Sequence, residues 1–240
     1  MHPRATISNG IITVVILFFM LMLGMLLKAR YRLASEDKIT QVKDAPVPKA
    51  IPVAMAVEMK VHEARAYKQG DWWVLPSPKL VVSRANEADT LRIRSGPKED
   101  VFVLYFVDAA ESTFSHPKRL RDQSNFFQKA PQDRLVTSGS EALNWVTELL
   151  TKHPFTVFTR WGRVPDRERF YAFIRVEIEP GKFADLGEML VRRGYASPVG
   201  QQTKPLPQTL PTAEQYVAEL GRALTLAQRE RAGAWTFAPQ

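Results

Sequence analysis

The chain has no cysteine, and that absence removes disulfides, thiol nucleophiles and thiolate zinc sites together. It leaves the redox compartment open, because a thiol-free chain suits either side of a membrane. There is no glycine-rich phosphate loop and no nucleophile elbow. Histidine is scarce: His2, His62, His116 and His153 are the only four, and they are scattered. His62-Glu63 does not continue into a zinc-protease motif. His116 and His153 each precede a proline, which points to turns rather than to metal ligation. Acidic residues are outnumbered by basic ones, 25 to 33, for a net charge of +8. Such an excess draws polyanions such as nucleic acid or anionic lipid. No internal repeat and no low-complexity tract is present.

The 240 residues allow one or two domains with a sizeable core. Residues 1–27 are expected to form a transmembrane anchor. Ile11 to Leu27 is almost wholly apolar, broken by Thr13 and Gly24. At about 1.5 Å per residue the run falls slightly short of about 30 Å of hydrocarbon, so Ser8 to Gly10 extend it. Lys28, Arg30 and Arg32 follow the run where a cleaved leader would carry small residues, which favours a retained single span. Those three charges against Arg4 lean towards a cytoplasmic C-terminal part. Residues 28–70 read as a juxtamembrane tether, with mixed charge and Pro46, Pro48 and Pro52. Val53 to Lys68 fits a short helix or a strand equally.

A third segment, 71–240, carries regular structure. Trp72 to Leu75 and Lys79 to Val82 are short strand-like runs separated by Pro76 and Pro78. Of the adjacent Trp72 and Trp73, one faces in and one out. Asn86 to Asp89 is a polar turn, and Thr90 to Arg94 alternates as a half-buried strand does. After the turn Ser95 to Lys98, Val101 to Val107 is apolar throughout, predicting a strand buried on both faces. It runs into Asp108, with Glu111 three residues on. A carboxylate there either caps the next turn or belongs to a metal or acid–base site. Lys118, Arg119 and Arg121 read as a solvated loop face, able to steer phosphates if a cleft lies near.

Helical spacing marks Glu141 to Thr151, with Leu143, Val146, Leu149 and Leu150 on one face. Phe155 to Thr159 and Phe170 to Ile178 return to strand composition, around a loop holding Pro165, Asp166 and Arg169. Leu186 to Arg193 is a short helix stopped by Gly194. The last helix starts at Thr212, spaced for a capping box with Gln215, and carries Val217, Leu220, Leu224 and Ala227 as its stripe. Trp235 is expected to pack after it. Three strands, a helix, two strands and two helices suit an α+β domain, a five-stranded Greek-key barrel of the OB type with added helices.

Five segments, in this order and spacing, carry a resemblance: Asn86 to Thr90, Val101 to Ser112, Gly139 to Ala142, Leu190 to Ala196 and Ala232 to Trp235. Together, over residues 72 to 237, they resemble the staphylococcal nuclease-like (thermonuclease) domain. The resemblance implies an OB-fold phosphodiesterase that hydrolyses DNA or RNA with Ca²⁺. It implies Asp89 and Asp108 as metal carboxylates, with Glu87 beside them and Ala109 offering its carbonyl. Glu111 stands in the place of the general base and Arg169 in that of a later arginine. A hard cation wants oxygen ligands, and a cation with an arginine offsets charge building on phosphorus.

The chain departs from the family pattern at several positions. Val103 stands where the family has a third-strand arginine, and loss of such a donor typically costs on the order of 10²-fold. Ala88 replaces a glycine, straining any turn that needs positive φ. Glu87 replaces an aspartate and Ala110 a proline. Ser197 to Gly200 replace residues that stack on the nucleotide. Arg92, Arg94, Arg160 and Arg167 are candidates to cover for Val103. The sequence therefore supports a membrane-anchored nuclease of reduced activity, or an inactive nuclease-like module that binds nucleic acid or a protein partner. Exported relatives imply an extracytoplasmic domain, against the charge bias of the anchor.

Overall fold

The computed structural model describes residues 66–76, 78–165 and 167–239. The anchor expected over residues 1–27, nearly all of the tether over 28–70, and His2 and His62 lie outside the described residues. Among those described, no helix is long and apolar enough to cross a membrane.

The domain is α+β. Strands β1 (Tyr67–Gln69), β2 (Trp72–Pro76), β3 (Lys79–Leu80), β4 (Thr90–Ser95) and β5 (Lys98–Leu104) come first, then the two-residue β6 (Asp108–Ala109). Helices α1 (Pro117–Phe126) and α2 (Gln132–Lys152) precede β7 (Phe155–Arg163), β8 (Phe170–Glu179) and β9 (Lys182–Asp185). Helix α3 (Leu186–Arg192), the short β10 (Ala196–Ser197) and helix α4 (Ala213–Arg229) follow, and a 3₁₀ turn spans Gly233–Phe237. Strand β1 occupies the end of the expected tether.

Eight strands form one sheet in the order β1-β2-β7-β8-β5-β4-β3, with β9 also on β8, and β6 pairs separately with β10. The sheet is not closed into the expected five-stranded barrel. β3 ends the path, although it follows β2 after only residues 77 and 78. Pro76 and Pro78 lack the N–H that an unbroken ladder across this segment needs. The Val101 strand is also displaced: it begins at Lys98 and ends three residues before the expected Val107. It stops at Leu104, because buried Phe106 adopts φ +66°, a conformation a bulky residue holds only when its surroundings impose it. Here Phe106 N–H donates to Gln201 O at 2.9 Å, and its ring packs on Phe173 and Tyr216.

Local signals place the other elements. β4 alternates with Leu91 and Ile93 buried, as a one-sided strand does. Trp72 is buried and Trp73 partly exposed. Helix α2 begins nine residues before the expected Glu141 and buries Leu135, Ala142, Val146 and Leu150. Gly194, with φ +70°, ends α3. The Thr212–Gln215 capping box is formed in both directions. On α4 Leu220 and Ala227 are buried as expected, but Tyr216 faces the core and Val217 is exposed. Trp235 joins Leu120, Phe127 and Leu135 in a satellite core under α1 and α2.

Candidate active site

The β4–β5 register builds the first wall of the site. Thr90 lies opposite Val103, so Asp89 stands across from Leu104, whose N–H donates to Asp89 O at 2.9 Å. β8 runs parallel to β5 with Tyr171 beside Val103, which brings Arg169 to the same end. Beyond the Phe106 bend, β6 pairs Asp108 with Ser197 and Ala109 with Ala196. The result is a pocket of about 240 Å³ whose lining includes Glu87, Asp89, Asp108, His116, Arg119 and Arg169. Val103 also lines it, and so does Arg167.

Three of the expected carboxylates therefore share one pocket. The fourth, Glu111, is buried just behind it. Its Oε2 lies 3.2 Å from His116 Nδ1, and its Oε1 lies 2.8 Å from Arg119 Nε. That guanidinium N–H is off line, so Glu111 Oε1 has no hydrogen-bond partner among the described residues. Asp108 is more fully engaged. Arg119 Nη2 donates to its Oδ1 at 2.7 Å and Gln123 Nε2 to its Oδ2 at 3.0 Å. Gln123 Nε2 also donates to Ala109 O at 2.7 Å, and Gln123 Oε1 accepts from Glu111 N at 3.0 Å. Asp89 accepts from Ala109 N at 2.7 Å and from Thr90 Oγ1 at 3.0 Å.

The electrostatics follow from this crowding. Burial first, and then repulsion from Asp108, raise the Asp89 carboxyl from 3.8 to about 7, against the pull of the Ala109 N–H. Burial also raises Glu111, while Arg119 draws it back. For Arg119 burial disfavours the charge, yet Asp108 and Glu111 more than offset it and its pKa rises.

Three residues of this network were not assigned to the site by sequence. Arg119 and Gln123 lie one helical turn apart on α1, a segment read as a loop, and Pro117 at its first turn was the available signal. His116 was read as a turn residue. Of the arginines considered as cover for Val103, Arg167 lines the pocket. Arg94 pairs with Glu99, and Arg160 reaches Asp71 and Lys204 O instead. Ala88 is not in the positive-φ region, so its replacement of glycine carries no strain there.

Among the expected Ca²⁺ ligands, both Asp108 oxygens and the Ala109 carbonyl each accept one hydrogen bond, from Arg119 or Gln123, so a cation there would share those oxygens with the two side chains. The group whose ligand atoms do converge, all within 4.8 Å of one another, is Glu87, Glu111 and His116. In comparisons with known proteins, no family model matches the chain and no curated protein matches it.

Proposed function

We propose that the domain is a thermonuclease-like phosphodiesterase acting on nucleic acid, with an OB-type barrel opened at the β2–β3 segment. The observation that supports this is one pocket lined by Glu87, Asp89 and Asp108 together with Arg119, Arg167 and Arg169. These residues come from separate stretches of chain, and carboxylates have little structural reason to gather where Asp108 and Glu87 raise the pKa of Asp89. In this reading the arginines hold the phosphate oxygens and stabilise the charge that develops on phosphorus. A water attacks phosphorus, Glu111 takes its proton, and the ester oxygen leaves. Burial raises the pKa of Glu111, the direction that suits a general base. The missing arginine at Val103 makes the enzyme slow. Anchoring of the domain to a membrane through residues 1–27 belongs to the same proposal.

The test is cleavage of single-stranded DNA and of RNA by the full chain, with divalent cations and then with chelator. Expected are fragments that disappear with chelator and in Glu111→Gln. No cleavage with any divalent cation ends the enzyme reading.

The clamp made by Arg119 and Gln123 favours a second reading, in which the pocket is neutralised from within and the domain only binds a polyanion. DNA retained without cleavage, and released by raised salt, supports that alternative.

A further inference from the structure

The outer face of β3, β4 and β5 carries a row of cations that leads out of the pocket. In β4 the inward residues are Leu91 and Ile93, both buried, so Arg92 and Arg94 point the other way with Thr90. Register carries the same face across the neighbouring strands. Lys79 of β3 lies opposite Arg94, and Val81 N–H donates to Arg92 O at 2.9 Å. On β5, Glu99, Val101 and Val103 stand opposite Arg94, Arg92 and Thr90. At one end of this face Thr90 and Val103 line the pocket. At the other end Lys79 and Arg94 are exposed, with Arg92 half-buried between. Of the facing residues only Glu99 is acidic, and it pairs with Arg94.

We propose that this row is a track for the flank of a single-stranded nucleic acid whose reacting phosphate sits in the pocket. Continuity with the pocket and charge choose this occupant. Alternate residues of a strand lie about 7 Å apart, close to the separation of successive phosphates along an extended single strand. Arg92 and Arg94, with Lys79 beside Arg94, therefore meet backbone phosphates in register, and Val81 and Val101 offer apolar contact to sugars and bases. A duplex winds its phosphates around its axis, and a straight row of cations follows them poorly. Glu99 competes with that backbone for Arg94, but an exposed pair of this kind is weak enough for a phosphate to displace. The track names the substrate class of the pocket and rests on the nucleic-acid reading above; it does not depend on cleavage.

The experiment uses the full chain in neutral detergent with chelator, and the anisotropy of labelled oligothymidylates of about twelve and about three nucleotides. Salt is varied between about 0.05 and 0.2 M, and the longer strand should bind at least about tenfold more tightly than the shorter. Lys79→Gln, Arg92→Gln and Arg94→Gln combined should reduce the slope of log affinity against log salt by about 2 for the longer strand, at about 0.7 for each lost phosphate contact. The shorter strand should change by less than about twofold. Each single variant, at about 0.7, serves if the triple variant does not fold. Glu99→Gln should tighten the longer strand by about twofold, and should not do so in an Arg94→Gln background.

An equal loss from Lys182→Gln, Arg222→Gln and Arg229→Gln combined, on β9 and α4, overturns the track. So does a duplex of the same length bound as tightly, with the same loss of slope. If the three track variants leave the longer strand unmoved but weaken binding to phosphatidylserine vesicles, the row belongs to a lipid surface and the proposal falls. No binding of either strand sinks the nucleic-acid reading and the track together. Binding of both strands that ignores the three variants sinks the track alone.

Discussion

Asp89 and Asp185 are both buried aspartates, but they are held in different company. Asp185 caps helix α3, accepting from Glu188 N at 3.0 Å, and Tyr216 OH donates to its Oδ1 at 2.6 Å. Burial raises its pKa, the two donors draw it back and the Glu188 charge adds a smaller rise, leaving it at about 6. Asp89 also has two donors, yet Asp108 and Glu87 push it further, to about 7. A capping acid needs neutral donors and a helix end. An acid set among other acids is destabilising unless a cation or an incoming phosphate system makes use of it. Burial acts first on both; beyond it, two acids, Asp108 and Glu87, act on Asp89, and one, Glu188, acts on Asp185.

Gly139 abuts the backbone of Ala110 and Glu111, and Gly187 abuts Asp185, and these two glycines supply the sharpest contrast. A Cβ at Gly139 would meet Glu111 O at 2.3 Å, whereas at Gly187 it would meet Asp185 Oδ1 and Tyr216 OH at 3.1 Å. Backbone cannot yield as side chains can. Gly139→Ala should therefore lower stability by about 3 kcal/mol, and Gly187→Ala by about 1 kcal/mol, in urea unfolding. Equal costs would erase the distinction.

Arg119→Ala comes next. It leaves buried Glu111 without its guanidinium partner and Asp108 with Gln123 alone, for a loss of about 2 kcal/mol in the same assay. Any cleavage should fall by about 10²-fold if Arg119 also holds phosphate. Tyr216→Phe removes the donor to Asp185 and should cost about 1–2 kcal/mol. At the exposed Arg94–Glu99 pair, by contrast, Glu99→Gln should change stability by less than about 0.5 kcal/mol.

The pH profile tests both acids at once. Each has a folded pKa raised above 3.8, so the folded state binds protons more tightly than the unfolded one over the intervening range. Stability should then fall as pH rises from 3.8 towards about 6 for Asp185 and about 7 for Asp89. Asp89→Asn should flatten the profile to the higher pH, and Asp185→Asn only its lower part. Urea midpoints across this range, measured without metal, check the order.

What the sequence made legible was local. Alternation at Leu91 and Ile93, Gly194 at a helix end and the Thr212–Gln215 box are each set by neighbours within a few residues. The gathering of Glu87, Asp89, Asp108 and Arg169 was legible through the family resemblance, not through periodicity. Other features depend on distant chain. α1 buries only Leu120 and Gln123, so its apolar spacing is too sparse to announce a helix. Arg119, Gln123 and His116 consequently looked like surface residues. The two-residue strands β3, β6 and β10 owe their form to their partners rather than to propensity. On α4 Leu220 and Ala227 were legible from their spacing, whereas Tyr216, an amphipathic residue held by Asp185 and the aromatic core, is buried where Val217 was expected.

The β6–β10 pairing has a consequence in time. Asp108 is pinned by Ser197, the Phe106 bend is tied to Gln201, and Gly200 fits where a Cβ would lie 2.4 Å from Val107 N. During synthesis the acidic side chains leave the ribosome long before these later residues do. The pocket thus acquires its last wall only when most of the polypeptide has emerged, and a nascent fragment ending before Ala196 holds the carboxylates without the frame that aims them.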